Sequence, residues 1–90
     1  MKTIEPKAAA KESWDKIVDV RLGFTSCQIP NAVTCSNLTE NDKDKKILVY
    51  CARGISSQET VEQLEGSGFN NVWNLTGGIS EWLSSNLPTE

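Results

Sequence analysis

Ile47-Leu48-Val49-Tyr50 is a continuous apolar run with no polar residue breaking it. A strand with one face in water alternates polar and apolar side chains. An unbroken run reads instead as a strand covered on both faces, the pattern of a parallel sheet between helices. The rest of the chain is consistent with that frame. Ile17-Val18-Asp19-Val20, Ala32-Val33-Thr34-Cys35 and Val72 to Leu75 read as further strands. They alternate with helical patterns, and repeated βα order predicts an α/β fold: a small, open, mostly parallel sheet flanked by helices.

The helices have recognisable ends. Pro6 suits a first helical turn, and Ala10, Trp14 and Ile17 are spaced to share one face. Ser56 and Glu59 have capping-box spacing, Val61 and Leu64 face inward, and Gly66 or Gly68 ends that helix. Gly77-Gly78 breaks the last strand. Ile79, Trp82, Leu83 and Leu87 then form the apolar stripe of a final helix, which Pro88 stops. Gly23 to Gln28 is irregular, and Pro30-Asn31 has turn chemistry. Ser36 to Lys46 is too polar to bury much, and its Glu40, Asp42, Lys43, Asp44, Lys45 and Lys46 read as a solvated loop.

Ninety residues are enough for one core and no second domain. The net charge of −3 disfavours binding nucleic acid through an overall basic field. The chain has no histidine, which excludes a Ser-His-Asp triad, a Cys-His dyad and His-ligated metal sites. Cys27, Cys35 and Cys51 form no C-x-x-C pair, which argues against a zinc ribbon or a dithiol redox motif. The first 30 residues show no apolar leader, and no transmembrane span is visible. The expectation is a cytoplasmic protein with no membrane or nucleic-acid partner and no metal or organic cofactor.

Cys51 stands where the buried strand ends and a helix is about to begin. Ligands of open α/β sheets bind beyond the carboxyl ends of strands. A loop entering a helix aims backbone N–H groups at one point, and the helix dipole favours negative charge there. With Arg53 nearby, both effects favour the thiolate of Cys51, a nucleophile for an anionic substrate. A lone cysteine at a strand end is otherwise a small buried hydrophobe; the Gly, Arg and Ser that follow tip the reading towards chemistry. Cys27 reads as incidental and partly buried, Cys35 as core at a strand end, and Trp73 and Trp82 as core.

Val49-Tyr50-Cys51-Ala52-Arg53-Gly54-Ile55-Ser56-Ser57 resembles the active-site loop of rhodanese-like sulfurtransferases. Three other segments agree in order. Ile17-Val18-Asp19-Val20-Arg21 resembles the family's strand ending in Asp-Val-Arg. Gln28-Ile29-Pro30-Asn31-Ala32 resembles its His-Ile-Pro-Gly-Ala turn. Leu75-Thr76-Gly77-Gly78-Ile79-Ser80-Glu81-Trp82 resembles its closing Gly-Gly and helical Trp.

The resemblance implies one rhodanese-like domain over residues 1–90, with Cys51 as the catalytic residue. Ala52, Arg53, Gly54, Ile55, Ser56 and Ser57 would bind the substrate, while Asp19 and Arg21 would support the loop. It implies a small anionic sulfur donor such as thiosulfate, a Cys51 persulfide, and a thiol, protein or cyanide acceptor. The chain departs from the pattern at Gln28, where the family has His, and in its short segments before Ile29 and before Ile47. Two rival readings share the loop. A phosphatase or arsenate reductase needs an Arg six positions after the cysteine, where Ser57 stands. A non-enzymatic persulfide carrier shares every motif.

Overall fold

Five strands join into a single parallel sheet. The structure, a computed structural model, describes residues 1–21 and 27–90. In chain order the elements are β1 (Lys2–Ile4), α1 (Pro6–Ala10), β2 (Lys16–Asp19), β3 (Ala32–Val33), β4 (Ile47–Tyr50), α2 (Ser56–Gly66), β5 (Val72–Leu75) and α3 (Gly78–Ser84). Two 3-10 turns, Cys35–Asn37 and Glu40–Asp42, lie between β3 and β4. The spatial order of strands is β1-β5-β4-β2-β3, and every pairing is parallel. The α/β class and the parallel sheet expected from the sequence are both present.

β4 is the centre of the sheet, and all four of its residues are buried. Successive side chains of a strand point to opposite faces. Leu48 and Tyr50 therefore enter one core with Ile4, Ala9, Leu75, Ile79 and Trp82. Ile47 and Val49 enter the other with Val18, Val61, Phe69 and Val72. The first core lies beneath α1 and α3, the second beneath α2. The unbroken apolar run at 47–50 follows from this: both faces of β4 are dry, so neither tolerates a polar side chain. Burying each such side chain is worth about 1.5–3 kcal/mol.

Several local expectations are corrected. β1 was not legible: Lys2-Thr3-Ile4 is a three-residue edge strand with only Ile4 buried. α1 is a turn and a half. Its buried residues are Pro6 and Ala9 rather than Ala10, and Trp14 lies beyond its end, with Nε1 donating to the Ala9 carbonyl at 3.0 Å. Cys35 is not core. β3 stops at Val33 and the chain curls into a 3-10 turn, leaving Cys35 exposed. In α3, Ile79 and Trp82 are buried but Leu83 is exposed, and Leu87 packs on the core from beyond the helix end. The polar segment before β4 does bury one group, Asp42, whose carboxylate accepts from the Thr39 N–H at 2.9 Å. Residues 23–26 of the expected irregular stretch lie outside the described residues. Gln28, its last residue, exchanges two backbone hydrogen bonds with Glu90, at 3.0 and 2.8 Å.

Candidate active site

β4 ends at Tyr50, and Cys51 is the first residue beyond it. The loop 51–55 is held from below by the start of α3. The N–H of Ile79 donates to the Cys51 carbonyl at 3.0 Å and that of Ser80 to the Ala52 carbonyl at 3.1 Å. These are first-turn N–H groups with no partner inside their own helix. Gly78 makes this approach possible. Its φ is +61°, and a Cβ there would lie 2.3 Å from the Cys51 carbonyl oxygen. Gly54 is constrained in the same way, with φ +82° and its Cβ position 2.8 Å from the Gly77 nitrogen. Gly54 and the Gly77-Gly78 pair, the latter read from sequence as breaking the last strand, are thus contact points between two loops.

The Cys51 thiol is turned inward over the start of α2. The Gly54 N–H donates to Sγ at 3.0 Å, and Sγ lies 3.3 Å from the Ser57 hydroxyl. Burial pushes the Cys51 thiol up. The Ser57 hydroxyl and the N–H groups of Ser57, Arg53 and Gly54 outweigh it and hold its pKa below the ordinary value. This is the N–H cradle expected at the entry to a helix. The expected Ser56–Glu59 capping box is absent: the N-cap residue of α2 is Ile55, which makes no side-chain cap. Ser57, the next residue in, uses its hydroxyl on the cysteine and on Asn74 instead.

Cys51 opens onto a cleft of about 610 Å³ whose walls include Val20, Arg21, Ser56, Glu59 and Thr60. Arg53 and Ile55 are exposed and border a second, smaller cavity that also touches Cys51. Ala52 and Ser56 border both cavities. Ser57 is fully buried and lies beneath the loop, away from the cleft.

Arg21 is fixed by Asp19. Its Nε and Nη2 both donate to the Asp19 carboxylate, and Nη2 also donates to the Cys27 carbonyl at 2.6 Å. Tyr50, buried at the end of β4, donates its hydroxyl to Asp19 at 2.9 Å, and the same oxygen accepts the Ile29 N–H at 3.2 Å. Burial raises the Asp19 pKa, but the hydrogen bonds from Arg21 and Tyr50 prevail and hold the carboxyl below its ordinary value. Tyr50 is pushed up by burial and stays protonated. Asp19, Arg21 and Tyr50 therefore tie the ends of β2 and β4 to the turn before Ala32. Tyr50 was read from sequence only as core. Among the described residues no group of three or more His, Cys, Asp and Glu is placed to hold a metal ion. No described helix is long and apolar enough to cross a membrane.

Asn74 was missed altogether. It sits in β5 within Val72-Trp73-Asn74-Leu75 and is buried. Its Oδ1 accepts from the Ser57 hydroxyl and its Nδ2 donates to the Gly54 carbonyl at 3.2 Å. The one available signal was a polar residue inside a short strand pattern.

Comparison with known proteins agrees with this fold. The family model described as Rhodanese-like domain matches residues 5–85. A thiosulfate sulfurtransferase GlpE of Pseudomonas syringae pv. syringae is 36% identical over 89 residues, covering 90% of this chain and 84% of that protein. A tRNA uridine(34) hydroxylase of Enterobacter sp. is 42% identical over 55 residues, where the match spans 61% of this chain but only 15% of that protein. Among solved structures, a rhodanese-related protein of Thermoplasma volcanium superposes with a TM-score of 0.79 at 28% identity, covering 100% of this chain and 98% of that one.

Proposed function

The chain belongs to the rhodanese-like domain family and is a rhodanese-type enzyme, and from that premise we propose that Cys51 moves sulfane sulfur from thiosulfate to a thiophilic acceptor through a persulfide. The observation that supports this best is the Cys51 sulfur itself, cradled by backbone N–H groups and facing an open cleft. The Cys51 thiolate attacks the outer sulfur of thiosulfate. A new S–S bond forms to Cys51, the S–S bond of the donor breaks, and its electron pair leaves with sulfite. The Cys51 persulfide anion then gives its outer sulfur to cyanide or a thiolate, and the bond's electron pair returns to Cys51.

The chain's own groups divide the work. Donors preorganised around the sulfur stabilise negative charge without reorganising during the reaction. Arg53, exposed beside the smaller cavity, and Arg21 in the cleft wall are the cations that would meet an anionic donor. Asp19 holds Arg21 in position rather than reacting.

Incubation with thiosulfate should add about 32 Da, one sulfur, to the intact protein, with the adduct on the Cys51 peptide, where the thiolate is favoured. An adduct that survives in Cys51→Ser and vanishes in Cys27→Ser would overturn the assignment. Cys51-dependent hydrolysis of an aryl phosphate without sulfur transfer would favour the phosphatase reading. A persulfide accepted only from a protein donor, with no turnover on thiosulfate, would favour a carrier.

A further inference from the structure

Beneath the loop lies a buried polar chain that the reaction as described does not use. It runs from Cys51 Sγ to the Ser57 hydroxyl, on to Asn74 Oδ1, and from Asn74 Nδ2 to the Gly54 carbonyl. Ser57 is 0% exposed and Asn74 2%. The orientation of the Asn74 amide is dictated by its surroundings. The Gly54 carbonyl can only accept, so Nδ2 must face it and Oδ1 must face Ser57. The pleat explains why the two meet: Val72 and Asn74 project to the α2 side of β5, while Trp73 and Leu75 project to the other.

A serine hydroxyl has one hydrogen. Beside a neutral Cys51 thiol nothing conflicts, because Ser57 donates to Asn74 and accepts from the thiol. Once Cys51 ionises, the thiolate and Asn74 Oδ1 both require that single hydrogen. Resting on the reading of Cys51 as nucleophile, we infer that Asn74 is a positioning residue: it competes with the Cys51 sulfur for the Ser57 hydroxyl hydrogen and so restrains ionisation of the thiol. The Gly54 N–H stays on the sulfur whichever way the hydroxyl points. Asn74 thereby sets how much of the thiolate's stabilisation comes from the hydroxyl and how much from the backbone.

The restraint has a function in a two-step transfer. Cys51 is the attacking group in the first half and the leaving group in the second. A thiol of very low pKa leaves well but attacks poorly, and the balance is best near the ambient pH. The other charged groups around Cys51 are Arg21 beyond β2, held by Asp19, and Glu59 on α2, both in the cleft wall, together with Arg53 at the second cavity. Substitution at Asn74 or Ser57 changes none of them. The Gly54 carbonyl keeps a partner when Asn74 is removed, because Gln58 Nε2 also donates to it at 3.0 Å.

The test is the pH dependence of Cys51 alkylation by iodoacetamide, resolved by peptide mass so that Cys27 and Cys35 do not contribute. It reads the thiolate directly and is independent of whether sulfur is transferred. In Asn74→Val the hydroxyl is released to the sulfur, and the midpoint should fall by about half a pH unit or more. In Ser57→Ala the midpoint should rise. In the double variant it should stay at the Ser57→Ala value, because Asn74 acts only through Ser57. A midpoint that is unchanged or raised in Asn74→Val overturns the inference, as does an equal fall in the Ser57→Ala background. Should the Val variant not fold, the near-isosteric Asn74→Leu makes the same deletion.

Discussion

Two cysteines in this chain stand just beyond parallel strands, and only one is built into a site. Cys51 follows β4, and Cys35 follows β3 by two residues. β4 is central, with β2 on one side and β5 on the other. Its continuation passes through α2 to β5, while β2 and β3 lie in the opposite direction. The end of β4 is therefore where the sheet's order diverges, the location at which α/β sheets leave a crevice. Loops from three directions converge on it: α3 grips the carbonyls of Cys51 and Ala52, Asn74 supports Ser57, and Arg21 walls the cleft. β3 pairs only with β2 and forms the sheet edge. There Cys35 is exposed at the start of a 3-10 turn. A cysteine after a strand comes to be buried in a hydrogen-bonded loop through the position of its strand in the sheet, not through the strand itself.

The comparison can be broken most decisively by exchanging the two cysteines for serine. Cys51→Ser should lower the rate of sulfur transfer to cyanide by about a thousandfold or more, since a lost nucleophile is not replaced by its neighbours. Cys35→Ser should leave that rate unchanged. Comparable losses in both would mean that the strand end matters more than its place in the sheet.

The convergence itself is tested at Gly78. Alanine there would force a positive φ and set its Cβ 2.3 Å from the Cys51 carbonyl oxygen, so the two loops must separate. Urea denaturation should show a loss of about 3 kcal/mol or more, with activity falling in parallel. Native stability and activity in Gly78→Ala would show that the loop does not depend on this approach.

A smaller effect is expected at the end of β2. Asp19 has its pKa depressed in the folded state, so its stabilisation is present above the unfolded value, near 3.8, and is lost as pH falls through the folded one. Asp19→Asn should cost about 1.5–3 kcal/mol at pH 7, the range for hydrogen bonds to charged groups. The gap between variant and wild type should narrow below pH 4. Denaturation midpoints that differ equally at pH 7 and pH 3 would show that the charge of Asp19 is not what ties β2 to Arg21.

The strands at 47–50 and 72–75 were legible because burial on two faces imposes a composition that single residues reveal. The βα alternation, the place of Cys51 between a strand end and a helix, and the glycine positions were legible for the same reason: each is a local requirement of the backbone. Tertiary structure decided the rest. Ser56 and Glu59 have the spacing of a helix cap, yet the neighbouring Ser57 is drawn to Cys51 and Asn74, contacts 6 and 17 residues away in sequence. The only local sign of Asn74 was its polarity within a strand, because its partners lie on another strand's loop and on a helix. Cys35 and Cys51 look alike one strand end at a time. Their difference arises from strand order, a long-range property fixed by which apolar faces bury against each other across the sheet rather than by the residues beside either sulfur.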